Sequence, residues 1–286
     1  MSEVIITRYG DGKLATKTFF SGESGFSVAS VIVMGKKECV LIDCQWTRSN
    51  AHRVIAEILE TGLELKAVFA THLHPDHFWG LGEIEQAFPG AKCYMIPEEV
   101  PLYADQYQQK LDGLSDVIGE GNLCRKQCRN LLPLENRHIE LEGERIEIME
   151  HIMGDLKWNS VVWIPSIMTL YGSDVIFNEA HPLTCEVSAA QRLEWIGELE
   201  RLERELNPKV IIPGHQKAGC LLDRSGIKYT IDYLKTTEDA MKETNDTASF
   251  FYYMEKAFPN NALSMNNNGV NSKVFKEPAS VRIQGS

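Results

Sequence analysis

Three imidazoles and a carboxylate occupy the six positions His72-Leu73-His74-Pro75-Asp76-His77. Neutral imidazole nitrogens with a carboxylate among them form a donor set suited to a divalent cation, and the carboxylate lowers the repulsion between two neighbouring ions. Packing gives no reason to gather such groups, and a short motif this dense is specific. Similar residues recur at three later places: His151 with Asp155, then Asp174, then His215. Strand-like apolar runs precede three of the four clusters. Ala67-Val68-Phe69-Ala70 leads into the histidines, Met168-Thr169-Leu170-Tyr171 into Asp174, and Lys209-Val210-Ile211-Ile212 into Pro213-Gly214-His215. Strands that end along one sheet edge would bring the four loops to one point.

The chain that must position these loops has 286 residues, enough for one large α/β domain or two modest ones, and 43% of them are hydrophobic, enough for a real core. Its formal net charge is −11. That balance argues against nucleic acid or an anionic membrane as partner, since both need clustered Lys and Arg. No stretch is apolar enough to span a bilayer. Met1-Ser2-Glu3 opens without a basic segment followed by an apolar one, so a cytoplasmic location is expected. The seven cysteines lie at 39, 44, 93, 124, 128, 185 and 220, an odd number without zinc-ribbon spacing. They read as small hydrophobes rather than a disulfide framework. Cys124 and Cys128, four apart, are expected to share a helical face.

Period-two and period-3.6 patterns supply the elements. Strands are expected at Val4–Ile6, Phe26–Met34, Cys39–Asp43, 67–70 and Ala91–Ile96. After Ser49-Asn50, a helix carries Ala51, Val54, Ile55, Ile58 and Leu59 on one stripe and ends near Gly62. A short helix follows at Leu81–Phe88. Residues 97–137 form a polar, mostly helical insertion, read as a lid or pocket wall. His138–Met149 alternates as a half-solvated hairpin, followed by strands at Ser160–Ile164, Met168–Tyr171 and Lys209–Ile212. The helix Ser188–Asn207 aligns Leu193, Ile196, Leu199, Leu202 and Leu206, and two more helices run over 227–242 and 248–258. The division expected is a domain over 1–258 and a tail over 259–286.

Together the clusters resemble the metallo-β-lactamase-fold hydrolases over about residues 26–218. The matching motifs are His72-x-His74-x-Asp76-His77, His151-Ile152-Met153-Gly154-Asp155, Tyr171-Gly172-Ser173-Asp174 and Pro213-Gly214-His215. The resemblance implies an α/β fold, an αββα sandwich of two mixed β-sheets flanked by helices. It also implies two divalent metal ions, most readily Zn2+, and a ligating Asp155 would make Mn2+ or Fe2+ more competitive. His72 and His74 would serve the first ion, Asp76, His77 and His215 the second, and Asp174 would bridge them. One position departs from the family: Gly154 is followed by Asp155 where a histidine is usual. Asp155 either ligates the first ion, hardening the site and lowering the ion's Lewis acidity, or points away and cripples that seat. His151 is read as a group that steadies a ligand rather than as a ligand.

The chemistry implied is hydrolysis of a small-molecule lactone, lactam or ester by a hydroxide generated at the ions. Asp76 would pass a proton to the leaving group, and His181, on a loop returning over the metals, is a second catalytic candidate. Phe78, Trp79 and Trp158 would form an apolar substrate wall, with core packing as the equal alternative. Two other readings stay open, a metal-poor binding or sensor protein on the same fold, and a thioesterase. The partner expected is a small-molecule substrate, with no nucleic acid and no membrane. A second copy of the chain is a place for the tail to dock.

Overall fold

The computed structural model describes residues 1–9, 13–264 and 266–267. Seven strands form the first sheet in chain order: β1 (Glu3–Thr7), β2 (Ala15–Phe20), β3 (Ala29–Met34), β4 (Glu38–Ile42), β5 (Glu64–Phe69), β6 (Lys92–Met95) and β7 (Leu131–Pro133). Neighbours run antiparallel from β1 to β4 and parallel from β4 to β7. Parallel neighbours need a crossover. These are supplied by α1 (Arg48–Thr61), then α2 (Pro75–Phe78) with α3 (Leu81–Ala87), then α4 (Tyr103–Ile118). The second sheet draws on β8 (His138–Leu141), β9 (Glu144–Ile152), β10 (Asn159–Ile164), β11 (Thr169–Tyr171) and β13 (Val210–Ile212). Its order is β13-β11-β10-β9-β8, with only β11 and β13 parallel. A short parallel pair joins β12 (Phe177–Asn178) to β14 (His215–Gln216), and α5 (Ala189–Leu206), α6 (Ser225–Glu243) and α7 (Thr247–Ala257) complete the chain.

Alternation along the strands assigns the layers. In β4, Cys39 and Leu41 join a core with Val54 and Ile58 of α1, while Val40 and Ile42 join one shared with the other sheet. In β10, Val162 and Ile164 belong to that shared core, and Val161 and Trp163 pack with Trp195 and Leu199 of α5. The result is the expected αββα sandwich of two mixed sheets. At one edge the Glu142 carboxylate, in the β8–β9 turn, accepts the backbone N–H groups of Lys36, Lys37 and Glu38 in the β3–β4 turn. At the other edge lie the polar loops.

Several local expectations are corrected. β2 carries no strand signature in the sequence, because its buried positions include Thr16, Lys17 and Thr18; Lys17 is buried against Glu57 at 2.5 Å. The strand expected from Phe26 starts at Ala29, since Phe26 and Ser27 have φ of 65° and 51°. Helix α1 begins earlier than Ser49-Asn50 because Thr47 caps it, its hydroxyl accepting from Asn50 N, and Gly62 ends it at φ 69°. Leu59 and Leu193, expected on buried stripes, are 64% and 70% exposed; Arg192 and Trp195 take the inward positions of α5. Cys124 and Cys128 lie in non-helical chain after α4, both buried.

Beyond Phe258 the described chain packs on the body. Ala262 bridges Ala180, Asn266 Nδ2 donates to the His181 carbonyl at 2.9 Å, and Asn267 Nδ2 donates to Glu255 Oε1 at 3.1 Å. The rest of the expected tail lies outside the described residues. No helix among the described residues is long and apolar enough to cross a membrane.

Candidate metal centre

Strand endings place the ligands. The histidine loop leaves β5 at Phe69, and α2 makes a single turn that carries Asp76 and His77. Asp155 follows β9, Asp174 sits in a 3-10 turn after β11, and His215 opens β14. Two glycines let the second-sheet loops close in. A Cβ on Gly214 would lie 2.3 Å from the Ser173 carbonyl oxygen, and one on Gly154 would lie 2.8 Å from that of Asp174. Side chains at either position would hold the loops apart.

The side chains form two groups. His72, His74, Asp155 and Asp174 offer ligand atoms within 4.8 Å of one another, as do Asp76, His77 and His215. Asp174 connects them. Its Oδ2 lies 3.5 Å from both His72 Nε2 and His74 Nδ1, and its Oδ1 lies 3.0 Å from His77 Nε2 and 3.1 Å from His215 Nε2. Asp155 Oδ2 lies 3.1 Å from His74 Nδ1, while its Oδ1 accepts from Asn159 Nδ2 at 3.1 Å. Asp76 Oδ2 completes the second group, 3.4 Å from His215 Nε2 and 3.6 Å from His77 Nε2.

The donor set fits divalent cations. His72 Nε2, His77 Nε2, Asp155 Oδ2 and Asp174 Oδ1 are all buried and make no hydrogen bond among the described residues, although they crowd together. Buried polar atoms are otherwise almost always paired. Converging lone pairs without partners are what metal ligands present. The opposite ring nitrogens are tied, as ligating histidines require. His77 Nδ1 bonds Asp43 Oδ2 at 2.7 Å, His215 Nδ1 bonds the Phe26 carbonyl at 2.7 Å, and His72 Nδ1 lies 3.1 Å from Thr71 Oγ1.

Charge points the same way. Burial opposes a charge on His74, yet Asp155 and Asp174 beside it prevail and push its pKa up to about 10. Burial likewise opposes charge on His77, and Asp174, Asp43 and Asp76 overcome it, raising that group well above the usual value. At Asp174, burial is outweighed by His77 and His215, which hold the carboxyl well below its ordinary range. His72 is held down by burial and by His77. The carboxylates draw protons onto His74, His77 and His215, and cations in the same seats would displace those protons.

Asp43 was passed over in the sequence because a single acid at the end of an apolar run has no spacing signature. It is fully buried with φ 60°. Besides His77, it accepts from Thr71 N at 2.8 Å, Thr71 Oγ1 at 2.9 Å and Tyr171 OH at 2.6 Å. His181 is not brought into either ligand group; its Nδ1 lies 2.9 Å from Tyr233 OH and its Nε2 3.4 Å from Glu255. His151 is also outside, 3.6 Å from Glu98. Phe78 and Trp79 are core residues rather than a substrate wall, fully buried against Tyr103 and Tyr107 of α4. Trp158 stays 38% exposed.

Comparison with known proteins agrees with this geometry. The family model of the metallo-beta-lactamase superfamily matches residues 23–221. The "Probable polyketide biosynthesis zinc-dependent hydrolase PksB" of Bacillus subtilis (strain 168) is 26% identical over 184 residues, covering 63% of this chain and 68% of the relative. Among solved structures, metallo-beta-lactamase IND-7 superposes with a TM-score of 0.60 at 21% identity, covering 82% of this chain and 98% of that one. The metallo-beta-lactamase of Pontibacter korlensis gives 0.56 at 19% identity, covering 82% and 99%. FIM-1 from Pseudomonas aeruginosa, in its mono-zinc form, gives 0.56 at 17%, covering 81% and 95%. With the family model spanning most of its length and both sheets and all four polar loops in place, this chain belongs to the metallo-beta-lactamase superfamily.

Proposed function

We propose that the chain is a metal-dependent hydrolase that holds two zinc ions and opens a small-molecule lactone, lactam or ester. The observation that carries this reading is the two-sided Asp174 carboxylate, one oxygen toward each ligand group. The zinc-dependent hydrolase named among the relatives supports the choice of metal. His72, His74 and Asp155 would hold one ion and Asp76, His77 and His215 the other, with Asp174 shared. Bound divalent ions supply Lewis acidity and a water of lowered pKa.

The chain's own residues do the rest. Asp43, Thr71 and Tyr171 fix the rings from behind, so little reorganisation is needed when charge develops. Asp76 is the most open of the ligand carboxylates, its side chain 11% exposed against 4% for Asp174 and 1% for Asp155. It is therefore the group placed to carry a proton to a leaving group at the mouth.

The test is elemental analysis of the purified protein, followed by a lactone, lactam, ester and thioester panel with and without chelator. About two equivalents of metal and chelator-sensitive opening of a lactone, lactam or ester support the reading. Metal-free protein with no turnover after zinc loading overturns it.

A further inference from the structure

His74 enters the ligand cluster the other way round from the other three histidines. His72, His77 and His215 bring Nε2 to 3.5, 3.0 and 3.1 Å from Asp174. His74 brings Nδ1 instead, 3.5 Å from Asp174 and 3.1 Å from Asp155. A neutral imidazole offers the Nδ1 lone pair only when Nε2 carries the proton. The Nε2–H of His74 therefore points away from the ligand atoms and needs an acceptor of its own. Glu186 stands there, its Oε2 4.0 Å from His74 Nε2. At that length the contact is a pairing of charge rather than a full hydrogen bond. The remote nitrogens of the other three rings have their partners in Thr71, Asp43 and the Phe26 carbonyl.

Glu186 does not lie at one of the strand ends that carry the ligands. It belongs to the stretch between β12 and α5, which is tied down on both sides of it. On the near side, Ala262 N donates to the Glu179 carbonyl at 2.8 Å and His181 N donates to that of Ala262 at 3.0 Å. On the far side, Arg192 of α5 reaches back and is only 3% exposed. Its Nη1 donates to the carbonyls of Thr184 and Val187 at 3.1 and 2.5 Å, and its Nε donates to Glu238 of α6 at 2.5 Å. Glu186 sits between the two carbonyls that the guanidinium grips. A loop fixed in this way presents its carboxylate to His74 with little ordering left to be done.

The geometry points to Glu186 as a positioning residue that takes the outward Nε2–H of His74, with Arg192 holding its loop in place, an inference that rests on the metal-binding part of the reading above. A carboxylate behind a ligating imidazole fixes the tautomer and the ring plane and raises the basicity of the nitrogen that faces the cation. His74 thereby gains from a distant loop what its three neighbours receive from Thr71, Asp43 and Phe26.

The test uses the full-length chain as wild type, E186A, E186Q, R192K and the E186A/R192K pair. Competition with a chromophoric chelator reads the two zinc-binding steps. E186A should weaken one step about tenfold and leave the other unchanged, and E186Q, which keeps an acceptor oxygen, should recover part of the loss. R192K should weaken the same step, and adding it to E186A should cost little more, because both changes act on one contact. The second readout is the Nε2–H proton resonance of His74 in the zinc-loaded protein, which should move upfield in E186A. Wild-type affinity at both steps in E186A, equal losses at both, or an unmoved resonance overturns the assignment. Losses in E186A and R192K that simply add overturn the role given to Arg192. Wild type that binds zinc but opens no substrate overturns the hydrolase reading and leaves Glu186 standing, whereas wild type that takes up no zinc overturns both.

Discussion

The Tyr171 hydroxyl donates to Asp43 at 2.6 Å, and both residues are buried. Burial raises the phenol's pKa well above its usual value, with Asp43 adding to the effect, so Tyr171 remains a donor throughout the working range. It thereby steadies a carboxylate that holds His77 directly and reaches His72 through Thr71. Removing this donor in Y171F should weaken zinc binding by about tenfold, the lower end of what loss of such outer partners costs. Competition with a chromophoric chelator measures it; unaltered affinity would show that Asp43 needs no help from Tyr171.

Asp155 takes the place where the family usually has histidine, and its Oδ2 lies among the ligands of the first group. D155A should lower the zinc content by about one equivalent while the Asp76–His77–His215 seat stays filled. Elemental analysis after desalting gives the answer. Full metal content and full activity in D155A would remove Asp155 from the ligand set.

Gly214 has no room for a side chain. A Cβ there would meet the Ser173 carbonyl oxygen at 2.3 Å and Asp174 Oδ1 at 2.8 Å. G214A should destabilise the fold by about 2 kcal/mol, as overpacking typically does. Because the displaced residue is the shared Asp174, zinc content should fall too. Thermal unfolding and metal analysis on one sample test both, and wild-type values for either contradict the tight approach.

His181 gives a pH dependence of stability. Its ring is buried, and burial lowers its pKa to about 4 from 6.5, against the opposing pull of Glu255. A group lowered on folding prefers to be neutral in the native state. Its stabilising effect is therefore complete above pH 6.5 and is lost as the pH falls toward 4. The loss amounts to about 3 kcal/mol when the shift is converted at ~1.4 kcal/mol per unit. The stability difference between wild type and H181F should shift by this amount across that window in denaturant titrations. A difference independent of pH would mean that the ring is solvated.

What the sequence showed plainly was contiguous or periodic. The histidine loop announced itself because four ligands share six positions, and strand alternation revealed the sheets. The residues that were harder to see act singly. Asp43 ends an apolar run as a single acid, which carries no spacing information until the fold shows that it faces His77, Thr71 and Tyr171. Phe78 and Trp79 follow the motif in a way that suits wall and core equally, and only the arrival of α4 decides for core. β2 was hidden by its threonines and Lys17, whose charge is met by Glu57 of α1, forty residues away.

The ligands do not come from one half of the molecule. His72, His74, Asp76 and His77 leave the first sheet, while Asp155, Asp174 and His215 leave loops of the second. Each cation seated there would rivet the two halves of the sandwich, opposite the hinge-like clasp that Glu142 makes on three backbone amides. Stripping the metal should therefore let the two leaves slide against each other, and protease sensitivity along the histidine edge would register that slippage before global unfolding begins.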